Sequence, residues 1–226
     1  MGKILIKEKE VAVPGETVAQ GMDILPSRGT FRHGEDIVST LIGLPNIKDK
    51  VISIIPLSGP YLPRRGDQVI GIVTDVTFYG WTIDIGSPYA ASLSVKDAVS
   101  EYVDMDRVDL SRFFNIGDLL VAKIIKKEKS GFMKLTTKGP GLKKLHNGKL
   151  VKVSPPKIPR LIGKQGSMIN MIKNKTDTII IAGQNGWVWI HGEPTNELQA
   201  AKAIELIEKE GHIQGLTDKI EKMLGS

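Results

Sequence analysis

The sequence predicts a multidomain chain, all-β through residue 138 and α/β from residue 142. Three observations carry this. Short β-branched or alternating runs, broken by turns, fill residues 1–138 without a sustained helical period. From residue 142 the pattern changes to strand–helix–helix–strand–strand–helix. Two proline- and glycine-rich joints, LSGPYLPRRG over 57–66 and KGPG over 138–141, separate the pieces. The expected domains are therefore 1–60, 64–138 and 142–226.

The first segment is expected to be a small barrel-like β unit. Val11–Val13, 36–41 and 50–55 read as strands, and turn signals fall at Ser27-Arg28-Gly29, His33-Gly34 and Leu44-Pro45-Asn46. It carries seven basic and seven acidic residues. That balance suits docking on a protein better than binding a polyanion.

In the second segment 68–76, 81–85, 91–93, 119–126 and 132–136 read as strands. Five strands in this length fit a small closed barrel of the OB type. Its opening, GDQVIGIVTDVTFYGWTIDIG, resembles an S1-type RNA-binding domain, with Gly66 to Val73 as the Gly-x-x-Val-x-Gly-x-Val strand. The aromatics Phe78, Tyr79 and Trp81 follow at the hairpin tip. Alternation along a strand sends at least one of the three outward, and Phe78 or Tyr79 is expected there. An exposed ring gives a base a surface to stack on. Arg112 falls in an inter-strand loop and is a further candidate for contact with RNA.

The third segment reads as strand 148–153, helices 155–161 and 165–174, strands 178–182 and 187–191, then an amphipathic helix 194–210 with Leu198, Ala201, Ile204 and Ile207 at helical spacing. A last helix spans 216–224. This is the element order of a type I KH domain. Gly163-Lys164-Gln165-Gly166 joins the two short helices. Without Cβ atoms such a turn lets an RNA backbone approach closely. The following helix directs its free N–H groups toward the phosphates. Lys164 adds charge, Arg160 lies one turn earlier, and Ile162, Ile169 and Ile172 are expected to line a groove beside the loop, which in KH modules clamps about four nucleotides. Asn185-Gly186 is a hairpin signal, with positive φ expected.

Net charge is +6, and it is uneven. Residues 139–176 hold nine Lys/Arg and no Asp or Glu. A one-sign stretch of this length attracts polyanions through counterion release. The absence of cysteine excludes disulfides, thiolate zinc sites and cysteine nucleophiles. His33, His146, His191 and His212 share no ligand spacing. Asp104, Asp106 and Asp109 suggest a magnesium-dependent ribonuclease, but no glycine turn or glutamate follows at a calcium-loop interval, and a solvated acidic loop is the preferred reading. No phosphate loop, dinucleotide fingerprint or nucleophile elbow is present. No metal, cofactor or catalytic residue is expected. No apolar run approaches the roughly 20 residues of a membrane span. Neither a signal peptide nor a membrane association is expected, and a cytoplasmic location fits.

A small β unit, an S1 barrel and a single KH domain with Gly183-Gln184-Asn185-Gly186 together resemble one family, the Rrp4 RNA-binding cap subunits of the archaeal exosome. Val13-Pro14-Gly15-Glu16, Arg28-Gly29-Thr30, residues 66–81 and the two glycine pairs support the likeness. The resemblance implies a non-catalytic subunit that recruits single-stranded RNA and guides its 3′ end into a hexameric ring of RNase PH-like subunits for phosphorolytic 3′–5′ degradation and processing. Three copies would cap the ring, either alone or mixed with the other cap subunit. The β unit would dock on the ring, the S1 barrels would surround the pore, and the KH domains would lie outside. It also implies that Gly183, Asn185 and Gly186 pack against the barrel rather than touch RNA. A related cap subunit with a zinc ribbon is disfavoured by the lack of cysteine. The alternative, an S1/KH transcription elongation or termination factor bound to nascent RNA, predicts a second Gly-x-x-Gly-bearing KH domain in its S1–KH–KH form, and none follows residue 186.

Overall fold

The computed structural model describes residues 2–7, 10–99, 109–128, 130–210 and 215–225. Two compact units arise, Met1–Gly59 and Pro60–Ser226. Among the described residues no helix is long and apolar enough to cross a membrane.

The first unit contains β1 (Lys3–Ile4), β2 (Thr17–Gln20), β3 (Leu25–Pro26), β4 (Thr30–His33), β5 (Asp36–Ser39), β6 (Gly43–Lys48) and β7 (Val51–Pro56). They form two small sheets, ordered β1-β2-β5-β4 and β3-β7-β6. Strand alternation turns Val18, Ile37, Ile52 and Ile54 into one shared core. The turn expected at 44–46 is instead the middle of β6. Pro45 is tolerated because β6 is an edge strand, where a missing N–H leaves no ladder bond unmade. The real hairpin turn is Asp49-Lys50, both left-handed at φ +44° and +65°. Lys48 pairs with Val51 across it, so the loop has two residues. Neither residue is glycine or asparagine, which hid the turn from the sequence.

The second unit begins with β8 (Gln68–Thr77), β9 (Gly80–Asp84), β10 (Ala91–Ser94), α1 (Val95–Ala98), a 3-10 turn (Leu110–Arg112), β11 (Leu119–Lys127), β12 (Met133–Thr136) and β13 (Lys144–Leu145). The order β8-β9-β10-β12-β11 closes into a five-stranded barrel because β11 pairs with both β12 and β8. β10 and β12 run parallel, as the OB topology requires. Val73, Trp81, Ile83, Leu93, Ile124 and Leu135 fill the interior. Tyr61, from the proline-rich joint, is buried there too. Its hydroxyl donates to Asp67 at 2.7 Å, and burial together with that carboxylate pushes the phenol well above its usual pKa.

The α/β part follows: β14 (Lys149–Lys152), a 3-10 turn (Pro155–Lys157), α2 (Ile158–Ile162), a second such turn (Lys164–Gly166), α3 (Ser167–Thr176), β15 (Ile179–Ala182), β16 (Trp187–His191), α4 (Pro194–Glu210) and α5 (Leu216–Leu224). The sheet order is β14-β16-β15, all antiparallel. Val188 and Ile190 of the central strand face the helical core with Leu161, Ile172, Ile204 and Ile220. Trp187 and Trp189, on its opposite face, pack on Ile70, Val121 and Leu145 of the barrel region. β16 is thus apolar on both sides because both sides are covered. The buried face of α4 is Ala200, Ala201, Ala203, Ile204 and Ile207, while Leu198 is half exposed rather than in the expected stripe.

Candidate nucleic-acid interface

The glycine loop is built by two abrupt endings. α2 stops at Gly163, which takes φ +75° and donates its N–H to Pro159 O at 2.9 Å. A side chain at Gly163 would come within 2.8 Å of Met168 N, so glycine is required for both space and backbone angle. Gly166, left-handed at φ +80°, opens α3, and no side chain caps that helix. The first-turn N–H groups therefore lack a side-chain acceptor, the arrangement that suits a phosphate. Lys164 and Gln165 are exposed on the loop and Arg160 is exposed on α2. Gln165 itself is left-handed, φ +54°.

The apolar groove beside this loop is narrower than the sequence suggested. Ile162 is half-buried, but Ile169 and Ile172 belong to the helical core, with Ile172 inaccessible. The α3 face that carries them turns inward against α4 and the sheet. The run of nine basic residues is also partly neutralised by the fold. Lys144 pairs with Asp118 and Lys175 with Glu221, and Lys157 donates to the backbone carbonyl of Glu208. Glu208 also accepts from the N–H and hydroxyl of Ser154, at 3.1 and 2.6 Å, which ties the end of α4 to the entry of α2.

On the barrel, Phe78 and Tyr79 stand at the β8–β9 turn, 58% and 72% exposed, in edge-to-face contact at 5.1 Å. Trp81 is a correction. Its ring is fully buried against Phe114, and its indole N–H donates to Phe114 O at 2.8 Å. A ring enclosed in the barrel offers no stacking face, and the outer positions of β9 and β10 beside it carry Thr82, Ser92 and Ser94. Arg112 is exposed at the end of its 3-10 turn, whose start is capped by Asp109 accepting from Ser111 N. That hydrogen bond holds the Asp109 carboxyl below the usual range. Asp104 and Asp106 lie outside the described residues, and among the described residues no cluster of three metal-ligating groups occurs.

Gly183-Gln184-Asn185-Gly186 forms the joint between sheet and barrel. Asn185 is buried. Its amide accepts from Ile70 N at 3.2 Å and donates to Ile70 O and Ile85 O at 2.8 and 2.9 Å. Gln184 exchanges two more bonds with Gln68, at 2.8 and 2.6 Å. A side chain at Gly183 would come within 2.8 Å of Ile70 N, and one at Gly186 (φ +87°) would overlap Val153 O. Only Gly186 uses the positive φ expected of the Asn-Gly pair. Asn185 is there for its side chain, which completes a strand edge of a different fold. The turn signal alone gives the bend; the packing against the barrel that the family resemblance implies is what Asn185 makes.

A closed OB barrel joined to a three-stranded α/β domain with a glycine loop defines the S1–KH class. Family models agree: the KH domain model matches residues 148–196, and the Rrp4 S1 domain model matches residues 60–126. The exosome complex component Rrp4 of Thermococcus kodakarensis is 50% identical, over 99% of this chain and 88% of its own length. The Methanothermus fervidus component of the same name is 42% identical over 98% and 97%. A crystal structure of a protein described as exosome complex RNA-binding superposes with TM-score 0.68 at 34% identity, covering 74% of this chain and 96% of the other. The chain belongs to the Rrp4 family of exosome complex components.

Proposed function

We propose that the chain is the non-catalytic RNA-binding cap subunit of an archaeal exosome, working in the cytoplasm. The likeness to Rrp4 components along 99% of the chain carries this reading. Residues 1–60 dock on a hexameric ring of RNase PH-like subunits, and three copies, alone or mixed with the other cap subunit, complete the cap. The barrel of 64–138 and the KH domain of 142–226 hold single-stranded RNA and lead its 3′ end to phosphorolytic sites in the ring. Arg160, Ile162, Gly163, Lys164, Gln165 and Gly166 form the KH contact. Phe78, Tyr79 and Arg112 form the barrel contact. The exposed apolar residues Met22, Leu25 and Ile55 of the first unit are consistent with a protein-docking role.

Co-purification with an RNase PH-like ring tests the assembly, and a stable complex is expected. A folded chain that stays apart from the ring removes the central claim. RNA affinity is expected to fall steeply with salt. Lys164→Asp with Gln165→Asp is expected to weaken binding at least tenfold while leaving the unfolding curve in place, and unchanged binding would move the site away from the KH loop.

A further inference from the structure

Two lysines of the second unit rest on aromatic rings instead of carboxylates. Lys127 Nζ lies 5.2 Å from the centroid of Tyr89, and Lys152 Nζ lies 5.1 Å from that of Trp187. Both lysines are exposed. Among the described residues neither forms an ion pair, whereas nearby Lys126 and Lys134 share Glu128 at 3.6 and 3.9 Å. Lys127 also reaches Pro63 O at 3.4 Å.

One barrel loop, between β9 and β10, touches Trp187 and carries Tyr89. Trp187 packs so closely on Gly86 that a methyl there would lie 2.9 Å from its indole nitrogen. Tyr89 follows three residues later, so at most about 11 Å of backbone separates the two positions. Tyr89 in turn lies against Gly131, where any side chain would overlap its ring. Both rings are thereby fixed by contacts that only glycine permits. Tyr89 nevertheless remains 39% exposed. Lys127 belongs to β11 of the barrel and Lys152 to β14 of the KH sheet, so the two lysines come from the two domains that Asn185 joins. Glu128, next to Lys127, is engaged by Lys126 and Lys134, and Asp84, the acidic residue closest in sequence to the 86–89 loop, accepts from Gly86 N at 2.8 Å.

We propose that this face is a third RNA site, separate from the glycine loop and from the barrel contact at Phe78, Tyr79 and Arg112, in which Lys127 and Lys152 bind phosphates of one strand and Tyr89 meets a base. The inference rests on the RNA-binding reading above. A lysine laid on a ring keeps its full charge and has already lost part of its rotamer freedom, so binding a phosphate costs it less ordering. An adjacent exposed aromatic completes the combination that single-stranded RNA uses, a cationic track beside a stacking surface.

The test is fluorescence anisotropy of a labelled single-stranded oligoribonucleotide with the full chain over a salt series. Lys127→Gln with Lys152→Gln is expected to weaken binding about tenfold and to reduce the slope of log affinity against log salt by about 1.4, two phosphate contacts' worth. Tyr89→Leu is expected to weaken binding with the slope unchanged. These losses should multiply with that of Lys164→Asp/Gln165→Asp. Wild-type affinity and slope in a folded lysine double variant would overturn the third site alone. If the unsubstituted chain binds no RNA, the RNA-binding reading fails and the third site with it.

Discussion

Phe78, Tyr79 and Trp81 share one turn and meet opposite fates. The first two occupy the tip, where no barrel interior remains to receive them. Trp81 points inward from β9 and is held by Phe114. Substitutions should separate the two roles. Tyr79→Ala is expected to leave stability within about 0.5 kcal/mol and to weaken RNA binding by about 1–3 kcal/mol, the worth of one stacked base. Trp81→Ala is expected to cost about 3–5 kcal/mol of stability through the cavity it opens, with RNA affinity per folded molecule unchanged. Denaturant titration and anisotropy on the same samples check both. The sequence could state that at least one ring faced outward, because strand alternation demands it. It favours Phe78 or Tyr79, and both are exposed; it could not see Trp81 enclosed, since that depends on Phe114, thirty-three residues away and joined only by folding.

At the scale of elements, the α2–α3 turn stores backbone strain on one side chain. Gln165 holds φ +54°, a conformation that costs a non-glycine residue about 1 kcal/mol. Gln165→Gly is expected to stabilise the chain by a few tenths to about 1 kcal/mol, and Gly163→Ala to destabilise it by more, because its methyl would meet Met168 N at 2.8 Å. Thermal unfolding of the two variants gives the signs. The helices α4 and α5 were legible to the residue, since an amphipathic period and a proline start mark α4 locally. Leu44-Pro45-Asn46 reads as a turn because proline breaks the interior of most strands; on the edge strand β6 it does not. The apolar run Trp187–Ile190 was read as a strand, but its covered second face was missed; its lack of alternation was the signal available. The inward turn of Ile169 and Ile172 was missed because α3 carries apolar residues on more than one side, and only the packed sheet decides between them.

For the second unit as a whole, three side-chain bonds from Asn185 and the cluster around Trp187 and Trp189 couple the barrel to the KH sheet. Asn185→Ala strands buried partners at Ile70 and Ile85 and is expected to cost about 3 kcal/mol or more. It should also broaden or split the urea transition of this unit, as the domains lose their common unfolding step. Tryptophan fluorescence can follow this, because Trp81 reports the barrel and Trp187 and Trp189 report the joint. A single sharp transition at the original midpoint would show that the joint contributes little.

If the proposed contact faces hold RNA, that joint would also set how the chain responds to RNA length. Contact faces on a stiff body keep a fixed spacing, so a strand gripped at one face reaches the next at an effective concentration set by its own flexibility rather than by a protein linker. An oligonucleotide too short to bridge the faces gains only single-site affinity. One long enough to span them should gain the second affinity scaled by that effective concentration, with a step in affinity at a defined number of nucleotides. Through the turn at Asn185, the protein would act as a ruler for the strands it accepts.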